Sequence, residues 1–163
     1  MDLLPFDDYV RSLNRKRMSA GVLYRDENDR VLIVEPSYKE HWDIPGGACD
    51  EGEPPWRTAA REVREELGTD DRKPGDLIVI DYISADDRMP EGLAFIFDGG
   101  LISDDDVAQL DITDPEIVSV NLMPLDAAAP KLKPILARRV AAALDAAHSG
   151  RLVICEDGYP VGS

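Results

Sequence analysis

The stretch from Pro54 to Gly68 constrains this chain more than any other. Two consecutive prolines suit the first turn of a helix, where a backbone N–H has no intrahelical partner to lose, and Gly68 suits its end. The spacing predicts a helix over residues 54–67. At about 100° per residue, and with Glu62 set at zero, Glu65 falls near about −60° and Glu66 near about +40°. Trp56, Ala59, Ala60, Val63 and Leu67 gather on the adjoining side. One stripe must therefore enter a core, and the neighbouring stripe presents three carboxylates. Three carboxylates this close would weaken an isolated helix by a few tenths of a kcal/mol per pair. A hard cation reverses that sign. Magnesium, with manganese as its substitute, prefers oxygen ligands of this kind and retains waters.

Upstream lies Ile44-Pro45-Gly46-Gly47, where a proline and two glycines are expected to end any regular strand in a tight functional turn. Without side chains at Gly46 and Gly47 the backbone can approach the carboxylate stripe, and a carbonyl oxygen there is a candidate further ligand. Arg61 sits on the flank of the stripe. Its planar fork can hold a glutamate in place and pair with Glu53 on the preceding loop, an orienting role.

The whole segment from Gly47 to Thr69, GACDEGEPPWRTAAREVREELGT, resembles the Nudix box: Gly47, Glu53, Arg61, Glu62, Val63, Glu65, Glu66 and Gly68 fill its fixed positions. The flanking Trp42-Asp43-Ile44-Pro45-Gly46 is also similar to the family. One position departs, because Thr69 stands where the family usually has an apolar residue. The resemblance implies an α/β/α sandwich around a mixed sheet, and magnesium-dependent hydrolysis of a nucleoside diphosphate linked to another group, with water attacking phosphorus. It implies Glu65 and Glu66 as metal ligands, the Gly46 carbonyl as a backbone ligand, and Glu62 as either a ligand or the base. The family's base can also come from a downstream loop, for which Glu116 is the first candidate and Asp111 and Asp114 compete with it. Two other readings share the family's fold. One is a sensor module that holds a nucleotide without cleaving it, which the full set of box glutamates disfavours. The other is an isoprenoid diphosphate isomerase, disfavoured because Cys49 lies inside the box rather than where a catalytic cysteine is expected.

The remainder reads as alternating strands and helices, which argues for a layered α/β domain over residues 17–163. Met18 to Tyr24 and Val31 to Glu35 should form a hairpin around a polar turn. Leu77 to Ser84, Leu93 to Phe97 and Ile117 to Met123 should be further strands, and Leu152 to Cys155 a last one. A helical turn is expected around Val107 to Leu110 and a helix over Pro134 to Ala147. Trp42, Tyr82 and Phe95 are read as core aromatics. Residues 1–16 form an arm in which Phe6, Tyr9, Val10 and Leu13 fall at helical spacing, followed by Arg15, Lys16 and Arg17 as a solvated junction. The loops Ala85 to Gly92 and Gly99 to Asp114 are expected to choose the substrate.

Charge narrows the partners. A formal net charge of −15 over 163 residues repels a nucleic-acid backbone, so neither DNA nor structured RNA is an expected partner. A small anionic nucleotide remains compatible if a bound cation screens the carboxylates. Cys49 and Cys155 form no zinc spacing with His41 or His148 and read as packing residues of a reducing compartment. No apolar run approaches the roughly 18 residues of a membrane span, and the acidic N-terminus does not read as a secretory signal; a cytoplasmic protein is expected. A homodimer is compatible with the arm.

Overall fold

The computed structural model describes residues 2–162. The elements in chain order are α1 (Phe6–Ser12), β1 (Arg17–Arg25), β2 (Val31–Pro36), β3 (Gly46–Ala48), α2 (Pro55–Leu67), β4 (Leu77–Ile83) and β5 (Gly92–Leu101). There follow α3 (Asp104–Ala108), β6 (Ile117–Met123), α4 (Leu125–Ala128), α5 (Pro134–Ser149), β7 (Val153–Glu156) and β8 (Tyr159–Pro160). The strands make one mixed sheet in the order β6-β2-β1-β5-β4-β7-β8, with β3 added beside β1. β1 runs parallel to β5 and β4 parallel to β7, while the other pairings are antiparallel.

Period-two alternation sorts β1 between two cores. Ala20, Val22 and Tyr24 pack with Ala59, Val63 and Leu67 of α2, together with Leu32, Phe97 and Ile102. Leu23 turns to the other face, where Val79, Ile96, Leu136, Val140 and Ala143 bring α5 against the sheet. A helix layer on each face makes the α/β/α sandwich that the sequence implies. Tyr24 is wholly buried, and its hydroxyl donates to the Arg72 carbonyl at 2.6 Å.

Several local expectations shift. Gly46 and Gly47 do not end strand pairing; they begin β3, which pairs with Ser19, Ala20 and Gly21 of β1. β3 occupies the edge of β1 that β2 holds only at Arg25, so the sheet splits there. β5 continues past Phe97 to Leu101, because Tyr24 and Arg25 of β1 pair with its Gly100 and Leu101. The helical turn placed at Val107 to Leu110 starts earlier, at Asp104, since Ser103 and Asp106 close a capping box on its first turn. Trp56 leaves the predicted apolar stripe and is 63% exposed. At that first turn the buried side of α2 is instead Pro55 and Thr58, the latter donating its hydroxyl to Glu53 at 2.6 Å. In the arm, α1 forms as expected but none of its residues is buried; Leu3, Phe6 and Tyr9 face solvent. The junction is less solvated than expected: Lys16 pairs with Glu91, and Arg17 donates to the Pro90 carbonyl at 2.7 Å.

Candidate active site

The carboxylate stripe of α2 meets the two glycines of β3 where the sheet splits. α2 stands between its Pro54 N-cap and Gly68, whose φ of 66° is the left-handed conformation that closes a helix. Gly68 also lies so close to the next loop that an added Cβ would meet the Asp111 carbonyl at 1.8 Å.

Arg61 organises one side of the stripe. Its Nε and Nη2 donate to the two oxygens of Glu53 at 2.8 and 2.9 Å, a bidentate fork. Its Nη1 donates to Glu62 at 3.1 Å and to Glu65 at 3.2 Å. The Arg61 and Thr58 hydrogen bonds hold the Glu53 carboxyl down at about 2, while Glu53 raises Arg61. Arg61 thus stays charged, and one side chain fixes three glutamates.

Glu66 lies on the other side, half-buried, and among the described residues it forms no ion pair, although Lys39 lines the same cavity. Its Oε2 accepts one bond, from the Gly46 N–H at 3.1 Å. Burial pushes its pKa up to about 8 against that hydrogen bond, with the charges of Glu62, Asp43 and Asp114 adding to the rise. Burial also raises Glu62. Glu62 lies directly against the turn, since a Cβ on Gly47 would meet its Oε1 at 2.3 Å.

Glu66 lines a cavity of about 280 Å³ shared with Ser19, Asp43, Gly46, Gly47 and the exposed Glu116. Lys39 is on its wall and pairs with Asp43 at 2.9 Å. Of the outlying carboxylates, Glu116 thus shares the cavity with Glu66. Asp114 accepts from the Glu116 N–H at 2.9 Å, and Asp111 belongs to a separate hollow beyond Gly68. Gly46 meets the stripe through its N–H. Among the described residues, no three His, Cys, Asp or Glu side chains by themselves form a cluster that could enclose an ion. The donor set still fits a hard divalent cation: the half-buried carboxyl of Glu66, whose one hydrogen bond comes from a neutral N–H, with the Glu62 carboxyl beside it.

A larger cavity, of about 620 Å³, adjoins the first and shares Ser19, Asp43, Gly46 and Gly47 with it. It lies between the sheet and the start of α5, with Ala85, Asp86 and Met89 on its rim. The loop after β4, expected to choose the substrate, thus borders this cavity. The segment Gly99 to Asp114 does not line it, because the long β5 carries that segment to the opposite end of the sheet. Four cationic side chains lie on this cavity: Arg17, read from sequence only as part of a solvated junction, and Lys133, Arg138 and Arg139, which were not picked out from sequence. Two signals were available for the last. Asp81 interrupts the apolar run of β4, and Arg139 falls on the stripe of α5 that carries Leu136, Val140 and Ala143. Trp42 packs against the core under α5 and Phe95 against the core under α2, as expected, and Tyr82 hydrogen-bonds Glu91. Cys155 is buried, Cys49 half-buried, and both are free thiols.

Comparison with known proteins bears on this arrangement. A family model described as the NUDIX domain matches residues 15–144. The chain is 39% identical to diphosphoinositol polyphosphate phosphohydrolase 2 of Rattus norvegicus over 61 residues, 37% of this chain and 34% of that protein. It is 43% identical to nucleoside diphosphate-linked moiety X motif 6 of Xenopus laevis over 51 residues, 30% of this chain and 24% of that protein. These alignments therefore span about a third or less of the curated relatives' length. Among solved structures, a MutT protein from Methanosarcina mazei superposes with a TM-score of 0.63 at 22% identity, covering 85% of this chain and 99% of that one. An ADP-ribose pyrophosphatase from Streptococcus suis gives a TM-score of 0.65 at 20% identity over 87% of this chain and 99% of its own. With a domain match that runs from just before β1 into the last turns of α5, on a fold these structures share, the chain belongs to the Nudix hydrolase family.

Proposed function

We propose that this protein is a magnesium-dependent pyrophosphohydrolase that cleaves a nucleoside diphosphate linked to another moiety, by attack of water on phosphorus. The observation that carries this reading is Glu66: a half-buried carboxyl that accepts from the Gly46 N–H and, among the described residues, forms no ion pair, on the wall of a cavity that also holds Lys39 and Glu116. Desolvation favours the neutral form of such a carboxyl, and a bound cation restores the charged one.

In this reading Glu62, Glu65 and Glu66 hold the metal from α2, the Gly46 carbonyl adds a backbone oxygen, and Glu116 approaches from the opposite wall. Magnesium, or manganese in its place, activates water and neutralises phosphate charge when bound. Arg61, fixed by Glu53, keeps Glu62 and Glu65 in register and screens their mutual repulsion. Gly47 leaves room for Glu62 at the turn. The substrate's diphosphate spans the walls common to the two cavities, and its larger moiety enters the larger one.

The working unit in this proposal is residues 17–163, with residues 1–16 as an arm. Its apolar residues, exposed in the single chain, are covered in a homodimer. No helix among the described residues is long and apolar enough to cross a membrane. Two free thiols and a small anionic substrate fit a cytoplasmic enzyme.

The test is a panel of nucleoside diphosphate derivatives with magnesium in heavy-oxygen water. The expected result is a nucleoside monophosphate and a partner phosphate, with the label on one phosphoryl product. No turnover across the panel, or label on carbon rather than phosphorus, would overturn the proposal.

A further inference from the structure

At the floor of the larger cavity lies a buried ion pair that the fold alone does not require. Asp81 is fully buried and Arg139 is 8% exposed, and the Arg139 Nε donates to Asp81 Oδ2 at 2.7 Å. The other carboxylate oxygen accepts from the Gly158 N–H at 3.0 Å. Asp81 is thus satisfied on both oxygens. Arg139 is not satisfied: among the described residues neither of its terminal nitrogens has a hydrogen-bond partner, and neither is sealed from solvent. Arg139 also lines the larger cavity.

Its neighbour is already engaged. Arg138 donates through Nε and Nη2 to the Asp157 carbonyl at 3.1 and 2.9 Å, with its guanidinium over the Tyr159 ring at 4.2 Å. Arg139 is therefore a preorganised fork of donors, fixed at one edge by Asp81 and free at the other. Its charge is balanced by the buried carboxylate. A phosphate or carboxylate there would bring a second anion beside Asp81, whereas a neutral group with two adjacent acceptors incurs no such repulsion. Ile83 from β4, Ala94 and Ile96 from β5, and Ile135 and Leu136 from α5 give the cavity an apolar wall, with Arg17, Lys133 and Arg138 elsewhere on its lining. Gly21 carries no side chain into this space. A flat, neutral ring fits against such an apolar wall, which leaves Arg17 and Lys133 for the phosphates attached to it.

We infer that Arg139, positioned by Asp81, is a specificity-determining residue that reads the base of the substrate, taking a purine with adjacent O6 and N7 acceptors and rejecting adenine. A guanidinium donates to both acceptors of guanine or hypoxanthine, while adenine puts an amino donor where one acceptor is needed. This inference rests on the pyrophosphohydrolase reading for the diphosphate attached to that base, and on the cavity alone for the base itself.

The test is calorimetric titration of the full chain with guanosine, inosine, 7-deazaguanosine and adenosine monophosphates. Guanosine and inosine monophosphates should bind alike and about 5- to 150-fold tighter than adenosine monophosphate. The 7-deaza analogue, which lacks one acceptor, should fall toward adenosine. Arg139→Lys keeps a cation for Asp81 but loses the fork, so the guanosine-to-adenosine ratio should collapse to within about 2-fold. Equal binding of guanosine and adenosine monophosphates, a 7-deaza analogue that binds as well as guanosine, or no nucleotide binding at all would overturn the inference. Selective binding without cleavage of any diphosphate would sink the pyrophosphohydrolase reading and leave this one standing. Cleavage with equal KM for guanosine and adenosine substrates would do the reverse.

Discussion

Gly46 and Gly47 are adjacent, and their neighbours restrict them for different reasons. A Cβ on Gly47 would meet Glu62 Oε1 at 2.3 Å, and that carboxylate can swing away. Gly47→Ala should therefore lower kcat at least about 10-fold while changing stability by less than about 0.5 kcal/mol. A Cβ on Gly46 would meet the Ala20 carbonyl at 2.3 Å and Gly21 Cα at 2.7 Å, which are backbone and cannot yield. Gly46→Ala should cost about 1–3 kcal/mol, lowering Tm by roughly 3–10 °C. Initial rates beside circular-dichroism melts separate the two, and a Gly47→Ala protein of full activity would refute the placement of Glu62. The acids of α2 were legible in the sequence because helical spacing puts them on one stripe regardless of the rest of the chain. Arg139 was not, because its partner Asp81 lies 58 positions away and only the packing of α5 on β4 joins them. An arginine on an apolar helix stripe and an aspartate inside an apolar strand were each visible, but not as a pair.

Among elements, the segment before β1 is held to the sheet by one carboxylate. Glu91 accepts from Lys16, from the Tyr82 hydroxyl and from Asn14, and these bonds hold its pKa down at about 2. A folded-state pKa below the ordinary carboxylate value of 4.5 stabilises the fold at pH above 4.5, and that contribution is lost as pH falls toward about 2. Glu91→Gln should accordingly flatten the fall of Tm between about pH 4.5 and pH 2 and lower Tm at neutral pH. A melt series with the same acid slope in both proteins would contradict this. Most helices and strands were readable from period and punctuation, whereas β3 was not. Its pairing with β1 depends on Gly46 having no side chain against Ala20 and Gly21, a contact that no local pattern announces. α3 was displaced for a simpler reason, since the Ser103 and Asp106 cap outweighs the apolar pair Val107 and Leu110 in setting where the helix starts.

At the scale of the molecule, the insertion of β3 splits the sheet, and the split joins the α2 carboxylates to a cavity roofed by α5. None of the described residues of the arm belongs to either core. Deleting residues 2–13 should leave Tm within about 2 °C in dilute solution, because no residue of α1 is buried. At higher concentration the same deletion should halve the mass seen by light scattering; an arm-less chain that melts much earlier would show that the arm belongs to the folded unit. The cation should couple to the whole fold. At about 100-fold above its Kd, magnesium adds about 2.7 kcal/mol of stability, so Tm should rise by roughly 5–10 °C. Glu66→Gln should abolish that rise while the metal-free protein melts no earlier than wild type, since a half-buried carboxyl whose pKa is raised by desolvation has been replaced by a neutral amide of the same shape. The same variant tests the central claim most directly, by its turnover of the nucleoside diphosphate substrate at saturating magnesium. A loss of about 10²- to 10⁴-fold in kcat from a folded protein is the predicted result, and full activity in Glu66→Gln would contradict the account.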